Sequence, residues 1–243
     1  MRISLGPNLF YWSRGDLFGF YEQVAQMPVE IVYLGETVCS KRRSLRTEDW
    51  IELAGRLTDA GKEVVLSTLA LLEAESEMKT LARICSNGRF LVEANDLGAV
   101  QLLSKRGVPF VTGPMVNLYN TRSLRVLAGK GLKRWTLPIE LSGETLAAIQ
   151  AEAPESIETE VFAFGRMPLT LSARCFTARA HNLPKDDCQF RCINYPDGYL
   201  MRTQDDQPLL ALNGIQTVSA LSSNLLPELP ELQRLGVDVL RIS

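Results

Sequence analysis

One histidine, His181, stands in the whole 243-residue chain. A nucleophile–base–acid triad would have to be built on that single imidazole, and its Ala180-His181-Asn182 setting reads as polar surface. A zinc peptidase of the HExxH type needs a second histidine and is excluded. No glycine-rich dinucleotide loop follows Leu5-Gly6-Pro7, and no GxxxxGK[ST] occurs, so neither phosphate-cradling loop is present. Apolar runs fall far short of a membrane span, and Met1 to Gly6 lacks the apolar segment of a signal peptide. A cytoplasmic protein without a membrane span is the expectation. Charge of one sign is missing too: 26 basic against 28 acidic residues leaves −2, with no surplus to attract a nucleic-acid backbone, so no nucleic-acid partner is expected. The five cysteines are an odd number, which argues against a disulfide scaffold.

What is present suits one well-packed globular unit. Hydrophobic residues make up 46% and charged residues 22%, ordinary values that exclude a disordered or coiled-coil chain. Strand-like and helix-like segments alternate. Strands are expected at Arg2 to Pro7, Glu30 to Leu34, Glu63 to Leu69, Phe90 to Val92, Pro109 to Val111 and Leu132 to Leu137. Helices are expected at Asp16 to Gln26, Thr47 to Gly61, Glu73 to Ile84, Leu97 to Lys105, Thr121 to Ala128 and Gly143 to Ala151. Six βα units without a phosphate loop favour an α/β fold of the closed (β/α) TIM-like barrel type over an open doubly wound sheet. The rhythm breaks after Ser156. A strand at Ile157 to Gly165 leads into a polar, cysteine-bearing segment, residues 166–197, expected as an insertion after strand seven within a single domain, residues 1–243. Antiparallel strands are expected at Tyr199 to Thr203 and Leu209 to Leu212, then a helix at Leu225 to Leu235 and an eighth barrel strand at Val237 to Ile242. A barrel normally follows its last strand with a helix, so the final C-terminal elements are expected to be lacking.

Three of the cysteines, Cys175, Cys188 and Cys192, fall in a C-x12-C-x3-C pattern. Zinc and iron–sulfur sites both want about four thiolates converging on one point. Cys39 lies just past the strand ending at Leu34, and in a barrel that loop opens onto the same face as the segment after strand seven. Cys39 can therefore meet the other three, whereas Cys85, at the end of a helix, belongs to the opposite rim and reads as a small buried hydrophobe. Spacing alone leaves zinc and [4Fe-4S] both open. Lys41, Arg42, Arg43, Arg174, Arg179 and Arg191 are near in sequence and would favour an anionic group. Glu36, Glu93, Asn95, Asp96, Asn117 and Glu140 follow strands on the same face and are candidates for acid–base or binding work, with Glu160 expected to face the barrel interior.

The stretch Glu160 to Cys175, EVFAFGRMPLTLSARC, resembles the signature of the collagenase-like peptidase family of uncertain catalytic type. LGETVCSKRR (Leu34 to Arg43), STLA (Ser67 to Ala70), RCFTAR (Arg174 to Arg179) and LNGIQT (Leu212 to Thr217) resemble one branch of it, which serves oxygen-independent ubiquinone biosynthesis. Family members commonly carry Cys where this chain has Pro168, His in place of Phe164 and Gly in place of Ala173. In the branch, Cys39 replaces the cysteine lost at Pro168, so the resemblance implies Cys39, Cys175, Cys188 and Cys192 as ligands of a [4Fe-4S] cluster. It also implies a heterodimer with a homologous sister subunit, UbiU, anaerobic hydroxylation of a ubiquinone ring precursor with prephenate as hydroxyl donor, and a lipid-carrier accessory protein. A cluster held wholly by cysteines would transfer electrons or support structure. An RNA-hydroxylating or peptidase relative, or a structural zinc protein, is the alternative.

Overall fold

A computed structural model describes residues 1–243. Eight parallel strands close on themselves. They are β1 (Arg2–Leu5), β2 (Ile31–Leu34), β3 (Glu63–Ser67), β4 (Leu91–Ala94), β5 (Phe110–Thr112), β6 (Leu132–Thr136), the first half of the long β7 (Glu158–Leu171), and a last strand at Val239–Ile242. Each pairs with the next, and the last pairs in parallel with both β7 and β1, which closes the barrel expected from the sequence.

Six helices cross between successive strands: α1 (Arg14–Val24), α2 (Thr47–Asp59), α3 (Glu75–Cys85), α4 (Leu97–Lys105), α5 (Thr121–Ala128) and α6 (Gly143–Gln150). Their starts are fixed locally. The side chains of Ser13, Asp96, Asn120 and Ser142 accept otherwise orphaned first-turn N–H groups of α1, α4, α5 and α6. Asp49 reaches back to the Arg46 N–H at the head of α2.

Strand alternation then sorts the side chains. Val32, Leu34, Val64, Leu66, Val92 and Ala94 point outward and pack under the helices. One helix-facing cluster centres on Leu103, Phe110, Trp135 and Leu146, the other on Tyr21, Leu53 and Leu57, all fully buried. Each such side chain contributes about 1.5–3 kcal/mol by leaving water. The inward positions are different. Ile31, Tyr33, Val65, Val111 and Val239 form only a small apolar cluster. The remaining interior is ionic, where barrels of this kind usually stack branched aliphatic residues.

Beyond Phe164, β7 leaves the barrel and pairs antiparallel with a strand absent from the sequence expectations. The flap consists of the second half of β7, a short helix α7 (Phe176–Ala180), and the strands β8 (Tyr199–Arg202), β9 (Pro208–Asn213) and β10 (Gln216–Asn224). The helix α8 (Leu229–Arg234) then leads to the closing strand, β11 (Val239–Ile242). Two differences from the sequence reading have physical causes. The strand expected to end at Gly165 runs on to Leu171, and Pro168 within it sits where the β7–β10 register shifts, a place that tolerates a missing N–H. The helix expected over Leu225 to Leu235 begins as a 3-10 turn at Leu226–Glu228 and becomes α-helical only at Leu229. No helix is long and apolar enough to cross a membrane.

Candidate functional site

Charged side chains from alternate strand positions fill the barrel from bottom to mouth. At the base, Arg2 and Arg134 are bridged by Glu63 and Glu158, with N–O distances of 2.5–2.8 Å. Arg134 also donates to the Tyr33 hydroxyl at 3.2 Å, and that hydroxyl donates to Glu160. Glu160 accepts in addition from Ser4 and from Arg241 Nε at 2.9 Å. The guanidinium of Arg241 lies 4.1 Å from the Tyr33 ring centroid and turns its other end toward Glu93. Glu93 Oε2 accepts from Ser67 at 2.6 Å and from Asn95 at 3.2 Å.

Burial alone would push the Glu160 carboxyl up, but the pairing with Arg241 and the hydrogen bonds from Ser4 and Tyr33 hold it below the usual carboxylate range. Burial, with the Glu160 charge beside it, pushes the Tyr33 phenol far above its ordinary value. Glu160 is thus a carboxylate and Tyr33 a neutral phenol around neutrality.

Above Arg241 and Glu93 lies a narrow cleft of about 30 Å3 at the C-terminal ends of the strands. The segments after β1, β2, β3, β4, β5 and β11 supply its rim, with Asn95 and Thr37 as polar points and Val38 and Met115 as apolar ones. Pro168, Thr170, Leu171, Gln216 and Thr217 of the flap roof it. The close packing depends on glycine. A Cβ on Gly113 would meet Asn95 Oδ1 at 1.9 Å and Glu93 Oε1 at 2.9 Å. Gly35, with φ +141, passes so near β3 that a Cβ would lie 2.4 Å from the Ser67 carbonyl oxygen.

Of the candidates read from the sequence, Glu93, Asn95 and Glu160 belong to this constellation. The others have local roles. Asp96 caps α4, Glu140 accepts from Tyr119 on the surface, and Asn117 is exposed beside the cleft. Glu36 accepts the N–H groups of Val38 and Cys39 and shapes their turn. His181 is hydrogen-bonded to the Tyr195 hydroxyl at 3.0 Å. Arg241 and Tyr33 were missed. For Arg241 the signal was the alternation Val239-x-Arg241-x-Ser243, whose inward positions are not uniformly apolar.

The cysteines occupy the neighbouring sector of the same rim. Cys39 lies in the loop after β2, Cys175 heads α7, Cys188 closes a 3-10 turn (Lys185–Asp187) and Cys192 lies within the next (Arg191–Asn194). They are near enough to bear on one another's ionisation: Cys175 acts on Cys39, and Cys39, Cys175 and Cys188 all act on Cys192. Burial is the larger effect and pushes the Cys192 thiol up to about 11. Cys85 is elsewhere, buried in the core at the end of α3. The [4Fe-4S] expectation is corrected here. No group of three or more His, Cys, Asp or Glu side chains is arranged to hold a metal ion, and the zinc alternative falls with it. The sulfurs are engaged separately. Cys175 Sγ accepts the Ala178 N–H at 3.4 Å, Cys39 takes a backbone hydrogen bond from Lys41, and Cys192 is buried beneath the flap.

A family model described as "Peptidase family U32" matches residues 20–243, nearly the whole chain. Among solved structures, a type I 3-dehydroquinate dehydratase from Clostridium difficile aligns at 10% identity over 67% of this chain and 75% of its own, with a TM-score of 0.43. Dihydrodipicolinate synthase from Aquifex aeolicus aligns at 12% identity over 67% of this chain and 64% of its own, with a TM-score of 0.45. A phospho-2-dehydro-3-deoxyheptonate aldolase from Thermotoga maritima aligns at 14% identity over 66% and 51%, with a TM-score of 0.42.

Proposed function

Since the chain belongs to peptidase family U32, we propose that it works as a barrel enzyme, or as a subunit of one, whose substrate enters the cleft above Arg241 and Glu93. The observation that carries this reading is the floor of that cleft. Two almost wholly buried charged side chains, paired with each other at 2.8 Å and held by hydrogen bonds on their far sides, line its base. Fixed polar groups at the mouth of a parallel barrel are the usual starting point of chemistry in such folds.

Within the family two finer readings are open. The description of the matching family favours a relative acting on peptides; an RNA-hydroxylating relative is the other alternative read from the sequence. Against peptide cleavage by a cysteine stands the chemistry of the thiols: burial raises those of Cys39 and Cys192, the opposite of what an activated nucleophile needs. The motifs LGETVCSKRR, RCFTAR and LNGIQT support the other reading. In it the chain is UbiV, the subunit that acts with UbiU in hydroxylating a ubiquinone precursor without oxygen, with prephenate and a lipid-carrier protein as further participants.

Deleting the gene in its host and growing the cells without oxygen separates the two. On the ubiquinone reading, ubiquinone falls, a plasmid copy restores it, and tagged protein retains UbiU through purification. Unchanged ubiquinone with no retained sister subunit overturns that reading and leaves the peptide- or RNA-directed one.

A further inference from the structure

The cleft above Arg241 and Glu93 has room for little more than a water molecule, so the body of a substrate must lie beside it. A larger cavity of about 450 Å3 adjoins the cleft at the C-terminal ends of β4 and β5. Ala70, Asn95 and Met115 line both spaces. Small-molecule sites usually measure roughly 300–1,000 Å3, and only the second space reaches that size. Its walls are mostly apolar. Leu97 opens α4, Val126 stands on α5, and Val116 and Leu118 are buried in the loop after β5. Leu97 and Val126 are 65% and 59% exposed, apolar surface at one rim that a ligand would cover.

Asn95 supplies the polar point. It is 5% exposed, and its Nδ2 donates to the Thr68 carbonyl at 3.0 Å and to Glu93 Oε2 at 3.2 Å. Both partners accept only, so the amide cannot be turned round. Its Oδ1 therefore faces away from them, accepts no hydrogen bond from the chain and is not sealed from solvent. A buried side chain thus holds a fixed acceptor where the cavity meets the cleft. Charge narrows the class further. Asp96 is the one charged residue in the lining, and it spends Oδ1 on the Gly98 N–H at 2.6 Å. No Lys, Arg or His lines the space, so an entering anion meets a carboxylate and no counter-charge.

We propose that this cavity seats the apolar body of the substrate, and that Asn95 Oδ1 selects non-anionic compounds carrying an N–H or O–H donor. The inference rests on the barrel mouth being the substrate side of the chain.

The test uses 1-anilinonaphthalene, its 8-sulfonate and its N-methyl derivative, which share one ring skeleton. The first is neutral with one N–H, the second adds an anion and the third loses the donor. Each is titrated into the intact protein at pH 7, with the methyl signal of Met115 as reporter. The parent compound should shift Met115 and bind about tenfold or more tightly than the sulfonate. It should bind about two- to tenfold more tightly than the N-methyl compound. Val126→Trp, at an exposed rim position, fills the mouth and should abolish the shift. Unchanged binding in that variant, or a sulfonate that binds as well, overturns the cavity. Equal binding of the N-methyl compound overturns the role of Asn95. A Met115 shift with unchanged ubiquinone in the deletion strain keeps the cavity and drops the ubiquinone reading. Lost ubiquinone without a Met115 shift drops the cavity alone.

Discussion

Arg42 donates to both oxygens of Asn213, main chain at 2.9 Å and side chain at 2.5 Å, across 171 residues of sequence. The same asparagine donates to the carbonyls of Cys192 and Tyr195. One side chain thereby ties the loop after β2, the cysteine-bearing turns and the β9–β10 hairpin together. Asn213→Ala should therefore cost about 2–4 kcal/mol, because it strands part of a buried guanidinium and two carbonyls. Urea unfolding measures the loss, and limited proteolysis should show new cleavage between Asn182 and Asp197. A variant as stable and as protease-resistant as the parent would show that the flap is held by something else.

Glu160 makes a second prediction, this time with a pH signature. Its carboxyl is held below the ordinary range in the folded chain. The stability it adds is therefore fully present above the unfolded carboxyl value, about 4.5, and is lost as pH falls through the lower folded value. Glu160→Gln should be destabilised by about 3–5 kcal/mol at pH 7, since Arg241 loses a buried partner. The gap between parent and variant should narrow as the pH is taken below 4.5. A gap that stays constant down to acid unfolding would mean that packing, not charge, makes Glu160 necessary.

The barrel was legible because outward strand positions and inward helix faces are apolar with regular periods, as in EIVYL (Glu30 to Leu34) and in Leu97 to Lys105. The flap was not. β10, QTVSALSSN, contains little aliphatic mass, and the Asn213-Gly214 turn that announces its hairpin was read only as part of a motif. The site was half legible. Glu93, Asn95 and Glu160 could be placed because strand ends in a barrel share one face. Arg241 could not, because a lone arginine in VLRI looks like an outward, solvated residue until the partner carboxylates are known to face it. The cysteines show the converse limit. Spacing brought four sulfurs to one rim, but their metal-binding geometry depends on where each thiol points, which spacing does not determine.

Cys85 predicts alkaline behaviour away from the cleft. Burial pushes its thiol from 9.0 up to about 11. A raised folded value means that its stabilising contribution is intact below pH 9 and disappears as pH rises toward 11. The loss should be about 2–3 kcal/mol. Cys85→Ala removes this titration at the expense of a small cavity, about 1–2 kcal/mol at neutral pH. Stability measured from pH 8 to 10.5 should fall less steeply in the variant. Parallel pH profiles would show that Cys85 ionises as freely in the folded chain as in the unfolded one.

Gly113 connects backbone geometry to the floor of the cleft. The residue sits just past β5, where only the absence of a Cβ lets Asn95 and Glu93 turn into the cleft. In Gly113→Ala the added methyl must displace the Asn95 amide, which lies closer to it than Glu93 does. Overpacking of this kind costs about 1–3 kcal/mol. Loss of the Asn95 hydrogen bond also leaves Glu93 Oε2 held by Ser67 alone. The carboxylate is then freer to rotate, so the fixed alignment of Glu93 Oε1 with Arg241 is lost. The melting temperature should fall accordingly, while Cys85 and the α3 core remain protected from thiol reagents. A Gly113→Ala protein as stable as the parent would show that the Asn95 amide moves aside without cost and is not needed to position Glu93.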